Sequence, residues 1–121
     1  MARDFDLEGF SAWRREMNEK IAEKKHLGIN RVFNLDTKAY EDGALDARTK
    51  ELLGLCASMV LRCDDCIAYH VIRCKEVGVS DAQLMEAMNI GLIIGGSIVI
   101  PHLRRAVDLL DELNREGATP A

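Results

Sequence analysis

Two prolines, one tryptophan, two tyrosines and three phenylalanines are all that 121 residues hold of the residues that punctuate and pack strand-rich proteins. Sheets are enriched in β-branched and aromatic side chains, so this shortage points to helices. Basic charge is outnumbered as well, with 16 Lys and Arg against 20 Asp and Glu and a formal charge of −4. A nucleic-acid binder held by phosphate contacts needs a net basic face, and none is expected here. Residues 1–10 mix Arg3, Asp4, Asp6 and Glu8 with apolar residues, with no basic segment leading into an apolar one, so no signal peptide is expected. The longest apolar run, residues 90–100, is broken by Gly91, Gly95, Gly96 and Ser97. Spanning a bilayer takes roughly 20 residues, so the run reads as a buried helix and not as a membrane anchor. Internal repeats, low-complexity tracts and linkers are also lacking.

What remains is ordinary globular composition, 48% hydrophobic and 30% charged, in a chain long enough for one domain. Four cysteines without an export signal suggest a reducing, cytoplasmic setting. There, a closely spaced pair serves redox or metal chemistry more often than it staples a fold.

Helical periodicity runs almost throughout. Phe10, Trp13, Met17 and Ile21 recur at spacings of three and four, predicting a helix over residues 10–27 with Lys24, Lys25 and His26 as a basic last turn and Gly28 as its stop. A second helix is expected over residues 30–41, ending at the turn signal Asp42-Gly43. Asp46 is the expected N-cap of a third, which carries Leu52, Leu55, Met59 and Val60. A fourth begins around residues 62–64 and ends at Val77-Gly78, and Ser80 with Gln83 forms a capping box for a fifth. Gly95-Gly96-Ser97 interrupts that helix, and a sixth tolerates Pro101 in its first turn. The predicted fold class is all-α.

The chemistry concentrates at Cys63-Asp64-Asp65-Cys66, followed by His70. On a helix these positions share a face, the cysteines come within disulfide range, and Cys66 and His70 are neighbours one turn apart. A helix start favours thiolate, the reactive form, through its unpaired N–H groups, while Asp64 and Asp65 oppose it. Cys74 extends the stripe into a tempting zinc set. On one continuous helix, however, Cys63 and Cys74 are separated by a rise of roughly 16 Å, too far to share a metal. No metal and no cofactor are therefore expected. Two inert core cysteines are the bland alternative. Glu51 lies in a helix otherwise filled with Leu and Ala, and the pattern by itself favours a solvated position. If it faces inward, Glu51 and His70 form the base and orienting pair that a thiol nucleophile needs.

Glu51, then Cys63-x-x-Cys66-x-x-x-His70, resembles the signature of the alkylhydroperoxidase D (AhpD)-like branch of the carboxymuconolactone decarboxylase (CMD) superfamily. The flanking Ala39-Tyr40-Glu41-Asp42-Gly43, Cys66-Ile67-Ala68-Tyr69-His70 and Gly95-Gly96 are similar too, so the likeness covers roughly residues 30–112. It implies a single-domain helical bundle around a central hairpin, assembled as a homo-oligomer, either trimer or hexamer. Residues 1–29 then form an N-terminal packing or interface helix, 30–115 the core and 116–121 a frayed tail. The resemblance also implies a thiol-dependent peroxidase or disulfide oxidoreductase in which Cys63 and Cys66 are the redox pair and Glu51 and His70 the proton relay. A hydroperoxide would be the substrate and a lipoyl or thioredoxin-like dithiol the reductant. Best-studied members carry a histidine just before the second cysteine, where this chain has Asp65. Cys66 is expected to attack first because His70 is one turn away, whereas thioredoxin-type logic would choose Cys63. A redox-sensing or structural subunit without enzymatic activity, and a decarboxylase-type lyase, are the alternative functions.

Of the other residues, Cys56 reads as core and Cys74 stays unassigned. His102 reads as core or surface, Tyr69 as packing, and Trp13 and Met17 as core or interface. Gly91-x-x-x-Gly95 marks close contact between two helices.

Overall fold

Side-chain caps set most of the helix starts. A computed structural model of the chain describes residues 6–117. Asp6 accepts the Gly9 N–H at 2.9 Å and opens α1 (Leu7–Glu23). That helix stops at Lys24 because Lys25 turns left-handed, with φ 56°. His26 then caps α2 (Leu27–Ala39), its Nδ1 accepting the Ile29 N–H at 3.3 Å. This corrects the sequence expectation on two points. Gly28 lies inside α2 and is no helix stop, and His26 is an N-cap acceptor and not a cation in the last turn of the first helix. A lysine in the left-handed region is a break that side-chain type does not announce.

Asp46 caps α3 (Ala47–Leu61) through the Thr49 N–H at 2.8 Å, as expected. Cys63 caps α4 (Asp64–Glu76), and Ser80 with Gln83 makes the reciprocal box that opens α5 (Asp81–Gly95). Gly96, at φ 82°, ends α5, and a short 3-10 turn (Ser97–Val99) leads into α6 (Ile100–Gly117) with Pro101 as its second residue. Helix α6 therefore covers the first two residues of the tail expected to fray, and the rest of that tail lies outside the described residues. Among the described residues there is no strand, and no helix is long and apolar enough to cross a membrane.

The centre of the fold is the α3–α4 hairpin. Its two-residue connection turns because Arg62 adopts φ 57°, while the N–H groups of Arg62 and Cys63 close back on the Met59 and Ser58 carbonyls. Helix α5 lies along α3, and α6 packs on α4. Leu55 and Met59 from α3, Ile67, Val71 and Cys74 from α4, Leu84 and Met88 from α5 and Leu109 from α6 are buried together. Gly91 permits the α3–α5 contact, since a Cβ there would sit 2.8 Å from Met59 Cβ and 3.3 Å from the Cys56 carbonyl oxygen. Leu7 and Phe10 anchor α1 on this core. Neither α1 nor α2 buries a residue completely, and Trp13 lies outside the core, 56% exposed.

Candidate active site

The cysteine pair sits at the mouth of α4. Cys63, in extended conformation, is the N-cap, and its sulfur accepts the Cys66 N–H at 3.2 Å. The two cysteines form a disulfide with a Cα separation of 5.2 Å. Cys66 is exposed and Cys63 half-buried. Cys63 is thus the flanking residue of the helix and not a member of it, which places its sulfur against the N–H groups that α4 leaves unpaired.

One turn further along, His70 is buried among polar neighbours. Its Nδ1–H donates to Glu51 Oε1 at 2.8 Å. Glu51 is 1% exposed, so the solvated position favoured by the pattern is overturned. The α3–α4 hairpin brings the face of α3 that carries Glu51 against His70 and not against water. The Arg73 Nε lies 3.7 Å from Glu51 Oε2, giving the buried carboxylate a second partner. With Glu51 as acceptor, the hydrogen-bond pattern assigns the proton to Nδ1 and leaves the Nε2 lone pair free to accept.

Two residues that the sequence reading gave no site role complete the surroundings of that imidazole. The Tyr40 hydroxyl donates to His70 Nε2 at 3.4 Å, with the rings 5.3 Å apart. Gly54 on α3 leaves the space the ring occupies, because a Cβ there would fall 2.6 Å from Cε1 and 2.8 Å from Nε2. The signal for Gly54 was available: a glycine in a helix interior costs about 1 kcal/mol against alanine, so its presence asks for a close approach. Tyr40 carried no such signal. Tyr69 packs edge-on to His70 at 5.1 Å and supports Arg14, whose guanidinium carbon is 4.1 Å above the Tyr69 ring. Burial, then nearby Asp36 and Glu51, pushes the Tyr40 hydroxyl above its ordinary range, and burial with Glu51 does the same for Tyr69. Both therefore remain O–H donors at neutral pH.

A cleft of about 240 Å³ opens over Cys66, His70 and Tyr69, rimmed by Arg14, Asp36 and Asp65. It is large enough for a small organic molecule to meet the exposed sulfur and the imidazole together. Beside it, Asp64 accepts from His102 Nδ1 at 2.7 Å and from Arg105 at 2.9 Å. His102 thus lies on the outer edge of the cysteine turn, on a helix packed against it. The remaining thiols are free: Cys56 is half-buried and not core, and Cys74 is fully buried. Burial pushes the Cys74 thiol up to about 12, which makes it inert. Among the described residues no group of three or more His, Cys, Asp or Glu side chains is placed to hold one metal ion.

Residues 29–109 match the profile of the Carboxymuconolactone decarboxylase family. The chain is 32% identical over 80 residues to "Uncharacterized protein 4 in cox locus" of Paracoccus denitrificans, covering 66% of this chain and 72% of that protein. Among solved structures, the Thermotoga maritima protein TM1620 is 55% identical with a TM-score of 0.88, over 91% of this chain and 96% of that one. A second crystal structure of TM1620, at 54% identity and TM-score 0.85 over 92% and 97% of the two chains, describes it as a carboxymuconolactone decarboxylase family protein with a suggested part in antioxidative response. A family protein from Legionella pneumophila, 24% identical with TM-score 0.73 over 86% and 96%, shares the fold.

Proposed function

The chain belongs to the carboxymuconolactone decarboxylase family, and from that premise we propose that it is a thiol-dependent peroxidase of the AhpD-like kind. The observation that carries this reading is the Cys63–Cys66 disulfide at the start of α4, one turn from a histidine held by a buried glutamate. The suggested antioxidative role of TM1620, which shares 55% identity, points the same way.

In the proposed cycle, His70 Nε2 takes the proton of the Cys66 thiol while Glu51 holds the opposite side of the ring. The Cys66 thiolate attacks the outer oxygen of the hydroperoxide, the O–O bond breaks, and Cys66 becomes a sulfenic acid. The departing alkoxide takes the proton from His70 and leaves as an alcohol. The Cys63 sulfur attacks the sulfenic sulfur, a disulfide forms, and water is released. An external dithiol, lipoyl or thioredoxin-like, then returns two electrons and two protons to the pair and is itself oxidised to a disulfide. The exposure of Cys66 and its share in the cleft support it as the attacking thiol. The α4 N–H groups around Cys63 suit the sulfur that must leave as thiolate during that last exchange.

The chain would work as a homo-oligomer, trimer or hexamer, in the cytoplasm. Support comes from the uncovered apolar side chains of α2 and of the second half of α5. Those same faces also fit a second reading, a redox-sensing subunit whose disulfide alters an interface. The lyase reading gains nothing from a cysteine pair.

Peptide mass mapping after one equivalent of an organic hydroperoxide is added to fully reduced protein tests the proposal. A Cys63–Cys66 disulfide, formed as peroxide is consumed and blocked by Cys66→Ser, is the expected result. Both thiols left free, or reaction confined to Cys56 or Cys74, would overturn it. Oxidation that changes the oligomer without peroxide turnover would favour the sensor.

A further inference from the structure

His70 Nε2 has one lone pair and two groups that can donate to it. One is the Cys66 thiol, in the peroxidase reading on which this inference rests. The other is the Tyr40 hydroxyl, already 3.4 Å away while the cysteines are joined and Cys66 has no proton to give. Tyr40, half-buried, is the C-cap of α2, so its ring reaches the site from an element that buries no residue completely. Its ring lies at 43° to the imidazole with centroids 5.3 Å apart, on the side open to a donor.

We propose that Tyr40 is a positioning residue for the thiol reaction: its hydroxyl holds the Nε2 lone pair of His70 while Cys63 and Cys66 are disulfide-bonded, and yields that nitrogen to the Cys66 thiol when the pair is reduced. Reduction by an external dithiol breaks the S–S bond, places one proton on each sulfur, and leaves the reductant as its disulfide. The Cys66 proton then passes to Nε2, giving a thiolate beside an imidazolium whose Nδ1–H still rests on Glu51. Tyr40 keeps its own proton throughout. The displaced hydroxyl has the approximately 660 Å³ cleft bounded by Thr37, Tyr40, Glu51 and Arg73 on its outer side to turn toward. In this arrangement the base is held in its working tautomer from both sides through the oxidised half of the cycle, and only reduction frees it.

Where the loss of the hydroxyl is felt follows from the form in which it occupies Nε2. In the oxidised chain its loss leaves the Nε2 lone pair without its donor, whereas in the reduced chain it leaves the Cys66 thiol and its acceptor as they were. The other titratable or charged groups facing His70 are Glu51 on α3, Asp36 on α2, Arg14 on α1 and Asp65, Tyr69 and Arg73 on α4. None of them is altered by Tyr40→Phe, which removes the hydroxyl alone.

The experiment uses the full chain in two forms, reduced with a chemical dithiol or oxidised. In reduced Tyr40→Phe, the pH midpoint of Cys66 alkylation by iodoacetamide is expected to stay in place, because Tyr40 has already given Nε2 up to the thiol. In oxidised Tyr40→Phe, the 15N resonance of His70 Nε2 is expected to move toward that of an unbonded lone pair. A purely structural role for Tyr40 would disturb that resonance in both redox states. A midpoint that moves in the reduced variant, or an Nε2 resonance that stays in place in the oxidised one, overturns the proposal even if the enzyme turns over peroxide normally. The unaltered chain supplies a check that needs no variant: its Nε2 resonance must change between the disulfide and dithiol forms, and an unchanged resonance also overturns the proposal. Failure of the peroxidase reading is separate, since it shows as absent peroxide consumption by the unaltered protein.

Discussion

Gly54 fixes where the His70 imidazole can sit. The His70 ring fills the place of a Cβ, and it cannot slide away freely because Glu51, Tyr40 and Tyr69 hold its other sides. Gly54→Ala should therefore push the imidazole by about 1 Å and lower peroxide turnover roughly 100-fold. Circular dichroism should remain helical, because alanine favours helix more than glycine does. Unchanged turnover would show that the ring position is not critical. Cys74 gives a second expectation. Burial holds its folded-state thiol up at about 12, above the ordinary value of 9.0, so the folded form holds the proton longer than the unfolded form. Its contribution to stability is complete below pH 9 and declines as pH rises from 9 toward 12. Denaturant unfolding at about pH 8 and about pH 10, either side of the lower bound, should show a drop that Cys74→Ala reduces. At this scale the sequence was a partial guide. Cys63, Cys66 and His70 were legible from spacing, whereas Glu51 entered only through the family resemblance because the helix pattern placed it in solvent, and Tyr40 is 30 positions from the ring it touches.

The elements around the cysteines divide the two aspartates that a sequence pattern treats alike. Asp64 is gripped by His102 and Arg105 of α6, which offset its charge and tie the start of α4 to its neighbour. Asp65 rims the Cys66 cleft, and no ion pair joins it among the described residues. Asp65→Asn should accordingly lower the pH midpoint of Cys66 alkylation, while Asp64→Asn should change it less and instead weaken the α4–α6 contact by about 1 kcal/mol or less. Equal midpoint shifts in the two variants would argue against the α6 grip. Most helix boundaries were readable from Asp46, Ser80 with Gln83, and Gly95-Gly96, because caps act locally. The α1–α2 break was not, because a left-handed Lys25 and an accepting His26 carry the signal and both residue types are common inside helices.

At the scale of the whole molecule the uncovered apolar faces dominate. Leu27, Ile29, Val32, Phe33 and Leu35 on α2, and Ile90, Ile93 and Ile94 on α5, are all exposed. Covering one such side chain is worth about 1.5–3 kcal/mol, so together they favour association strongly. Sedimentation of the unaltered chain should report an oligomer, and Phe33→Glu should shift it toward smaller species. A monomeric wild type would remove the assembly from the proposal. Because α2 also carries Tyr40, dissociation should lower turnover even though no cysteine is touched.

Composition, periodicity and local caps determined that the chain is helical, where most helices start, and that residues 63–70 hold a paired thiol and an imidazole on one face. These are short-range properties, set within three or four residues along one helix. Only the tertiary structure decided that Glu51 is buried, that Gly54 leaves room for the ring, that Tyr40 reaches Nε2 and that α6 grips Asp64. Each of these joins residues on different helices. Which face of a helix meets which neighbour depends on hairpin geometry and packing, neither of which any single stretch of sequence encodes.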